Sequence, residues 1–146
     1  MSNDAYNEMF DLKPEERILK ILICTKNKFE THLPQVEFAD PKQLPHLSYH
    51  DHSFDLVLCS DVLFVNQDTE LEEAARKTLM ELARVGSEVR VFPVVDDTGQ
   101  PSRYLGSLVQ SLQLKGMGVE LRHIEMDATG SNAMLRFWSD TCLVKN

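Results

Sequence analysis

Glycine is scarce in this chain and absent from its first 85 residues; of six glycines, the earliest is Gly86. No turn before that point can use glycine to bring the backbone close to a bound group or to adopt a positive φ cheaply. Cysteine is nearly as rare. Cys24, Cys59 and Cys142 are an odd number, far apart, and two lie in apolar runs. They read as reduced thiols rather than a disulfide framework or a metal cluster. No apolar run approaches the roughly 20 residues of a membrane helix. The opening MSNDAYNEMFDLKPEER is polar and acidic, unlike a secretory leader. A cytoplasmic chain with no membrane partner is the expectation. Basic clusters are missing too: 15 Lys and Arg face 23 Asp and Glu, a net charge of −8. Such a surface repels a phosphate backbone, so nucleic acid is not an expected partner.

What is present is ordinary globular material. With 42% hydrophobic and 26% charged residues over 146 positions, the chain can close one core, and residues 1–146 are read as a single domain. No repeat or low-complexity linker interrupts it. Short apolar runs of strand length occur at 18–24 (ILKILIC), 36–39 and 54–59 (FDLVLC). The last is almost continuously apolar, as in the middle of a parallel sheet covered on both faces. A helix over about 70–84 follows. Leu71, Ala74, Ala75, Thr78, Leu79 and Leu82 form its apolar stripe, Thr69 and Glu72 a capping box, and Gly86 a left-handed stop. A strand at 88–95 comes next, with Pro93 near its end. Ser102 then caps a helix bearing Leu105, Leu108, Val109 and Leu112, closed by Gly116. Segments 119–126 and 133–139 read as an antiparallel hairpin, with Gly130 in its loop. Alternating strands and helices argue for an α/β fold: a mostly parallel, reduced Rossmann-like sheet ending in an antiparallel C-terminal hairpin.

The stretch ADPKQLPHLSYHDHSFDLVLCSDVLF, continuing into ELARVGSEVRVFPVVD, resembles class I S-adenosylmethionine-dependent methyltransferases over about residues 36–139. In that family an Asp follows the third strand, a Leu-Pro pair comes next, and Ser-Phe-Asp-Leu-Val opens the fourth strand. The resemblance implies a cofactor site at Asp40, where the family's carboxylate accepts from the adenine amino group. It also implies contributions from Cys59, Ser60 and Asp61 at the carboxyl end of the central strand, where open α/β sheets bind ligands. The departure is as informative. The family grips its cofactor with a glycine-rich turn after the first strand, and here Thr25-Lys26-Asn27-Lys28-Phe29 stands instead. An acidic residue ending a second strand to hold the ribose diol is not evident; Glu30 and Glu37 are candidates, but neither stands at the end of a convincing strand.

Other constellations read as structural. His46, His50 and His52 with Asp51 and Asp55 have metal-binding side chains, but their scatter in a pre-strand loop favours a surface role over a closed shell. Ser60 lacks a Gly-x-Ser-x-Gly elbow, so nucleophilic catalysis is not indicated. Glu70, Glu72, Glu73 and Glu81 read as the solvated side of the helix, and Asp96-Asp97-Thr98-Gly99 as a turn. Phe137 and Trp138 are adjacent on a strand and must point to opposite faces, so one of them can mark a partner surface. The reading is a catalytically degenerate methyltransferase-like domain that binds S-adenosylmethionine weakly or not at all. Its role is that of an assembly module with a protein partner or a second copy. The alternative is a minimal S-adenosylmethionine-dependent methyltransferase.

Overall fold

In the computed structural model, residues 20–25, 35–60, 69–92, 94, 103–123 and 133–139 are described. Their elements run β1 (Ile21–Cys24), β2 (Val36–Ala39), a 3-10 turn (Pro41–Gln43), β3 (Phe54–Ser60), α1 (Thr69–Val85), β4 (Gly86–Phe92), α2 (Leu105–Leu114), β5 (Met117–His123) and β6 (Ala133–Ser139). The sheet order is β2-β1-β3-β4-β6-β5. The first four strands are parallel, and β6 pairs antiparallel with both β4 and β5. This is the α/β class expected from the sequence, a mostly parallel sheet that ends in an antiparallel pair. Among the described residues, no helix is long and apolar enough to cross a membrane.

Strand alternation divides the core. Leu22 and Cys24, Val57 and Cys59, Val89 and Val91, and Leu135 and Phe137 join one apolar cluster with Ala75, Leu79, Leu82 and Val85 of α1 and Leu108 and Leu112 of α2. Both helices therefore cover the same face. The alternate residues Ile21, Ile23, Leu56, Leu58 and Met134 are buried as well, so β1 and residues 56–59 of β3 are dry on both sides. Burial on that scale contributes about 1.5–3 kcal/mol per large apolar side chain, which explains how a four-residue strand such as β1 holds its place.

The stripe on α1 runs through Ala75, Thr78, Leu79, Leu82 and Val85. Ala74, assigned to it above, is exposed; it sits about 100° round from Ala75. The side chains of Thr69 and Leu71 lie outside the described residues. Gly86 also differs from expectation. It does not end the helix in a left-handed conformation; Val85 ends α1 and Gly86 opens β4 with no residue between. What requires glycine there is proximity, because a Cβ on Gly86 would overlap the side chain of Val57. Gly116, in contrast, does close α2 at φ 83°, donating its N–H to the Gln113 carbonyl. The N-cap of α2 is Tyr104, which makes no side-chain cap; Ser102 lies outside the described residues, as do Pro93, Asp96–Gly99 and Gly130. Strand β4 begins two residues earlier than the expected 88–95 and ends at Phe92. Strand β5 begins at Met117 rather than at residue 119, and 124–126 are not among the described residues.

The second face changes character across β4, β6 and β5. Glu88 takes two hydrogen bonds from Arg136, at 2.8 and 3.1 Å, and one from Arg90 at 2.6 Å. Arg136 lies over the Trp138 ring, 4.3 Å from its centroid, and that indole covers Gly118. Phe137 is fully buried on the opposite face and Trp138 is half-buried, so the two adjacent aromatics do point opposite ways. Leu79→Ala removes a side chain from the middle of the helix-side core and is expected to lower stability by about 2–5 kcal/mol in urea unfolding. Gly86→Ala is expected to cost about 1–3 kcal/mol in the same measurement, because its methyl must displace Val57.

Candidate functional site

The chain leaves β1 towards β2 on one side and returns to β3 on the other. At such a reversal the segments leaving neighbouring strands part, and a crevice opens at their carboxyl ends. Register sets its level. Cys24 lies opposite both Ala39 and Cys59, so Thr25 and Asp40 leave the sheet level with Ser60, the last residue of β3. A cleft of about 580 Å³ opens here against β2 and the segment after it, lined by Thr25, Phe38, Asp40, Lys42, Gln43 and Tyr49 among others.

Asp40 stands at the cleft and also caps the 3-10 turn, its Oδ1 accepting from the Lys42 N–H at 2.9 Å. Pro41 in the turn's first position supplies a preset φ. Tyr49 packs edge-on against Phe54 with ring centroids 4.9 Å apart. Its phenol is held above the ordinary range, first by burial and then by the charge and hydrogen bond of Glu37. Burial pushes the Cys24 thiol up to about 12, so it stays protonated and is a poor nucleophile. Cys59 is fully buried in the helix-side core, which leaves its main chain as the part able to meet a ligand. Ser60 is the last residue of β3, and Asp61 lies outside the described residues. Asp40 therefore reaches the cleft, and the end of β3 lies level with it across β1. Tyr49 and Phe38 were not singled out from the sequence. Tyr49 is an isolated aromatic in a polar loop, with no periodicity to mark it.

A clamp from α1 holds the loop carrying Tyr49. Arg84 donates to the carbonyls of Leu47 at 3.0 Å and Tyr49 at 2.8 Å, and to Asp51 Oδ1 at 2.9 Å. It is itself oriented by Glu81, which takes both of its forked donors at 2.8 Å. The other role of Glu81 is to accept from the Leu47 N–H at 2.7 Å. Glu81 was read as solvated, yet its side chain is only 12% exposed. An i, i+3 pair near a helix end looks like surface decoration in sequence, and nothing there shows which loop it will meet. Hydrogen bonding to Arg84 holds the Glu81 carboxyl below its usual range, against the opposing effect of burial. The histidine loop has a structural role. His52 donates its N–H to the Arg84 carbonyl, Asp55 accepts from the Lys20 N–H, and His46, His50 and His52 are exposed. Among the described residues, no group of three potential ligands is placed to hold a metal.

A second cleft, of about 590 Å³, lies over the outer side of α1 between Pro45-His46 and the end of α2. Met80 and Leu114, the latter 81% exposed, form apolar parts of it. Arg76 crosses between the helices to Ser111 and Ser107, at 3.0 and 3.3 Å, while pairing with Glu73.

No protein-family model and no curated protein matches the chain. Among solved structures it is similar to the methyltransferase domain of the bacterial CtHen1-CN protein. That similarity covers 82% of this chain and 90% of that one, at 15% identity and a TM-score of 0.47.

The carboxylates give the molecule a directional acid sensitivity. For Glu88, burial acts to raise the pKa, but Arg136 and Arg90 together outweigh it and the value falls below 4.5; Glu81 is likewise depressed. A depressed carboxyl contributes stability above its unfolded value that is lost as pH falls through its folded one. Stability is therefore expected to decline below about pH 4.5. In Glu81→Gln and in Glu88→Gln it is expected to be lower at pH 7 and to fall less steeply on acidification, as followed by urea unfolding at each pH.

Proposed function

We propose that this chain is a methyltransferase-like domain that has given up the grip on a cofactor and serves as a protein-binding or assembly module. The observation that carries this reading is the amino-acid sequence that follows β1. Thr25 lines the cleft, and the residues after it, Lys26-Asn27-Lys28-Phe29, include no glycine. A Cβ at each of these positions hinders the close backbone approach that a nucleoside cofactor needs. The Asp40 carboxylate is already engaged in capping its own turn. Asp40 is also the acidic residue that closes the second strand, so the same carboxylate would have to serve both the adenine and the ribose. Exposed Leu114 and Leu121 add apolar surface of the kind partners cover.

A specific observation favours a second reading. The cleft of about 580 Å³ stands at the carboxyl ends of β1 and β2 with a carboxylate and an aromatic ring at its edge, dimensions and chemistry that suit a small ligand. Under that reading the chain is a minimal S-adenosylmethionine-dependent methyltransferase that binds through Asp40 and the backbone after Cys24 and Cys59.

Calorimetric titration with S-adenosylmethionine separates the two. Each lost hydrogen-bond partner weakens binding by about 1–3 kcal/mol, so two losses reduce affinity roughly a hundredfold or more. No detectable heat is expected at tens of micromolar protein. A dissociation constant in the low micromolar range, abolished by Asp40→Ala, would overturn the assembly reading in favour of the enzyme.

A further inference from the structure

The two outer strands of the described sheet are unlike. Strand β2 has four residues, carries Glu37 and runs into Asp40. Strand β5 is seven residues long, and among the described strands only β6 pairs with it. In a chain of net charge −8, two copies repel each other almost everywhere, and most directly at an acidic edge such as β2. From Lys115 to His123 the balance reverses: Lys115 and Arg122 against Glu120. Near the middle of this edge stands Leu121, 50% exposed.

We infer that β5 is the contact through which two copies of this chain pair, antiparallel, about a two-fold axis through Leu121. This rests on the assembly reading above and names the partner as a second copy. The strand is self-complementary in that register. Leu121 meets Leu121 of the second copy on the helix-side face of the sheet. One residue away on the other face, Glu120 stands opposite the second copy's Arg122, and the symmetry makes that pair twice. Shifting the axis by one residue, to Glu120, sets like charges against each other and loses the leucine pair, so charge selects the register. The charges are already held in position. Glu120 accepts from Arg122 of its own strand at 3.0 Å and lies 3.8 Å from Arg136 of the neighbouring β6, so the three charges already form one row on that face of the sheet, which a second copy's Glu120 and Arg122 would extend. Pairing extends the six-stranded sheet to twelve strands and satisfies the outward N–H and C=O groups of β5.

Sedimentation equilibrium of the full chain tests this. A single strand edge is a small interface, so a monomer–dimer equilibrium is expected with a dissociation constant of about 10–100 µM. Glu120→Arg and Arg122→Glu each replace two attractive cross-strand pairs with two repulsive ones and are expected to weaken the dimer about tenfold or more. The double variant restores opposite charges and is expected to return to within about threefold of the starting affinity. Circular dichroism of each variant confirms that the fold persists. The double variant also restores the Glu120–Arg122 pair within its own strand, so the two single variants are mixed as well: the mixture sets opposite charges across the interface with that internal pair still broken, and it is expected to recover the dimer. A chain that is monomeric at about 200 µM overturns the proposal, as does a dimer indifferent to the single reversals. Both results leave the assembly reading to other partners. That reading fails separately, on tight S-adenosylmethionine binding, whatever the mass in solution.

Discussion

Strand β1 and residues 56–59 of β3 have no wet side, and most of the architecture follows from keeping them that way. Ile21 through Cys24 and Leu56 through Cys59 are all buried. Parallel neighbours cannot be joined by a tight turn, so the chain must cross a face of the sheet between β3 and β4, and α1 makes that crossing. Its stripe from Ala75 to Val85 covers one side of the central strands, and α2 extends the cover towards β5. Where apolar cover is no longer required, across β4, β6 and β5, the second face carries paired arginines and glutamates instead.

The clamp on α1 ties this core to the cleft. Arg84 and Glu81 sit one turn from the end of the helix and between them engage main-chain groups of Leu47 and Tyr49 and the carboxylate of Asp51. A loop of polar residues, rich in histidine and lacking glycine, would otherwise have little to fix it. The same turn of helix thus delivers Leu82 and Val85 to the core and positions the aromatic at the edge of the crevice. Cleft geometry and core packing are consequently not separable by mutation at this point.

Sequence pattern made the order of elements legible, because the signals were local: a continuous apolar run for β3, a three-to-four-residue stripe for α1, and two segments flanking a glycine-containing loop for β5 and β6. Boundaries were less so. Ala74 satisfied the apolar stripe by residue type but lies off its axis, and β5 begins two residues before its first β-branched residue. The harder failures concern residues whose role depends on a distant neighbour. Gly86 looked like a helix stop because glycine commonly ends helices, whereas its reason is Val57, 29 positions earlier in the chain. Glu81 looked solvated because its partner loop is 34 residues away. At the cleft, Asp40 stood out through its place after a short strand, while Tyr49 had no local signature at all.

The direct passage from Val85 to Gly86 has a consequence for how such a chain can vary in length. With no linker between helix and strand, an inserted residue cannot be absorbed locally. Placed on the helix side, it turns the preceding stripe by about 100° relative to the strand. Placed on the strand side, it sends Val89 and Val91 to the wrong face. Either error empties part of the helix-side core. Drift by insertion and deletion is therefore closed at this junction, and kin of this chain will show their gaps elsewhere, with helix and strand inherited as one piece of fixed length.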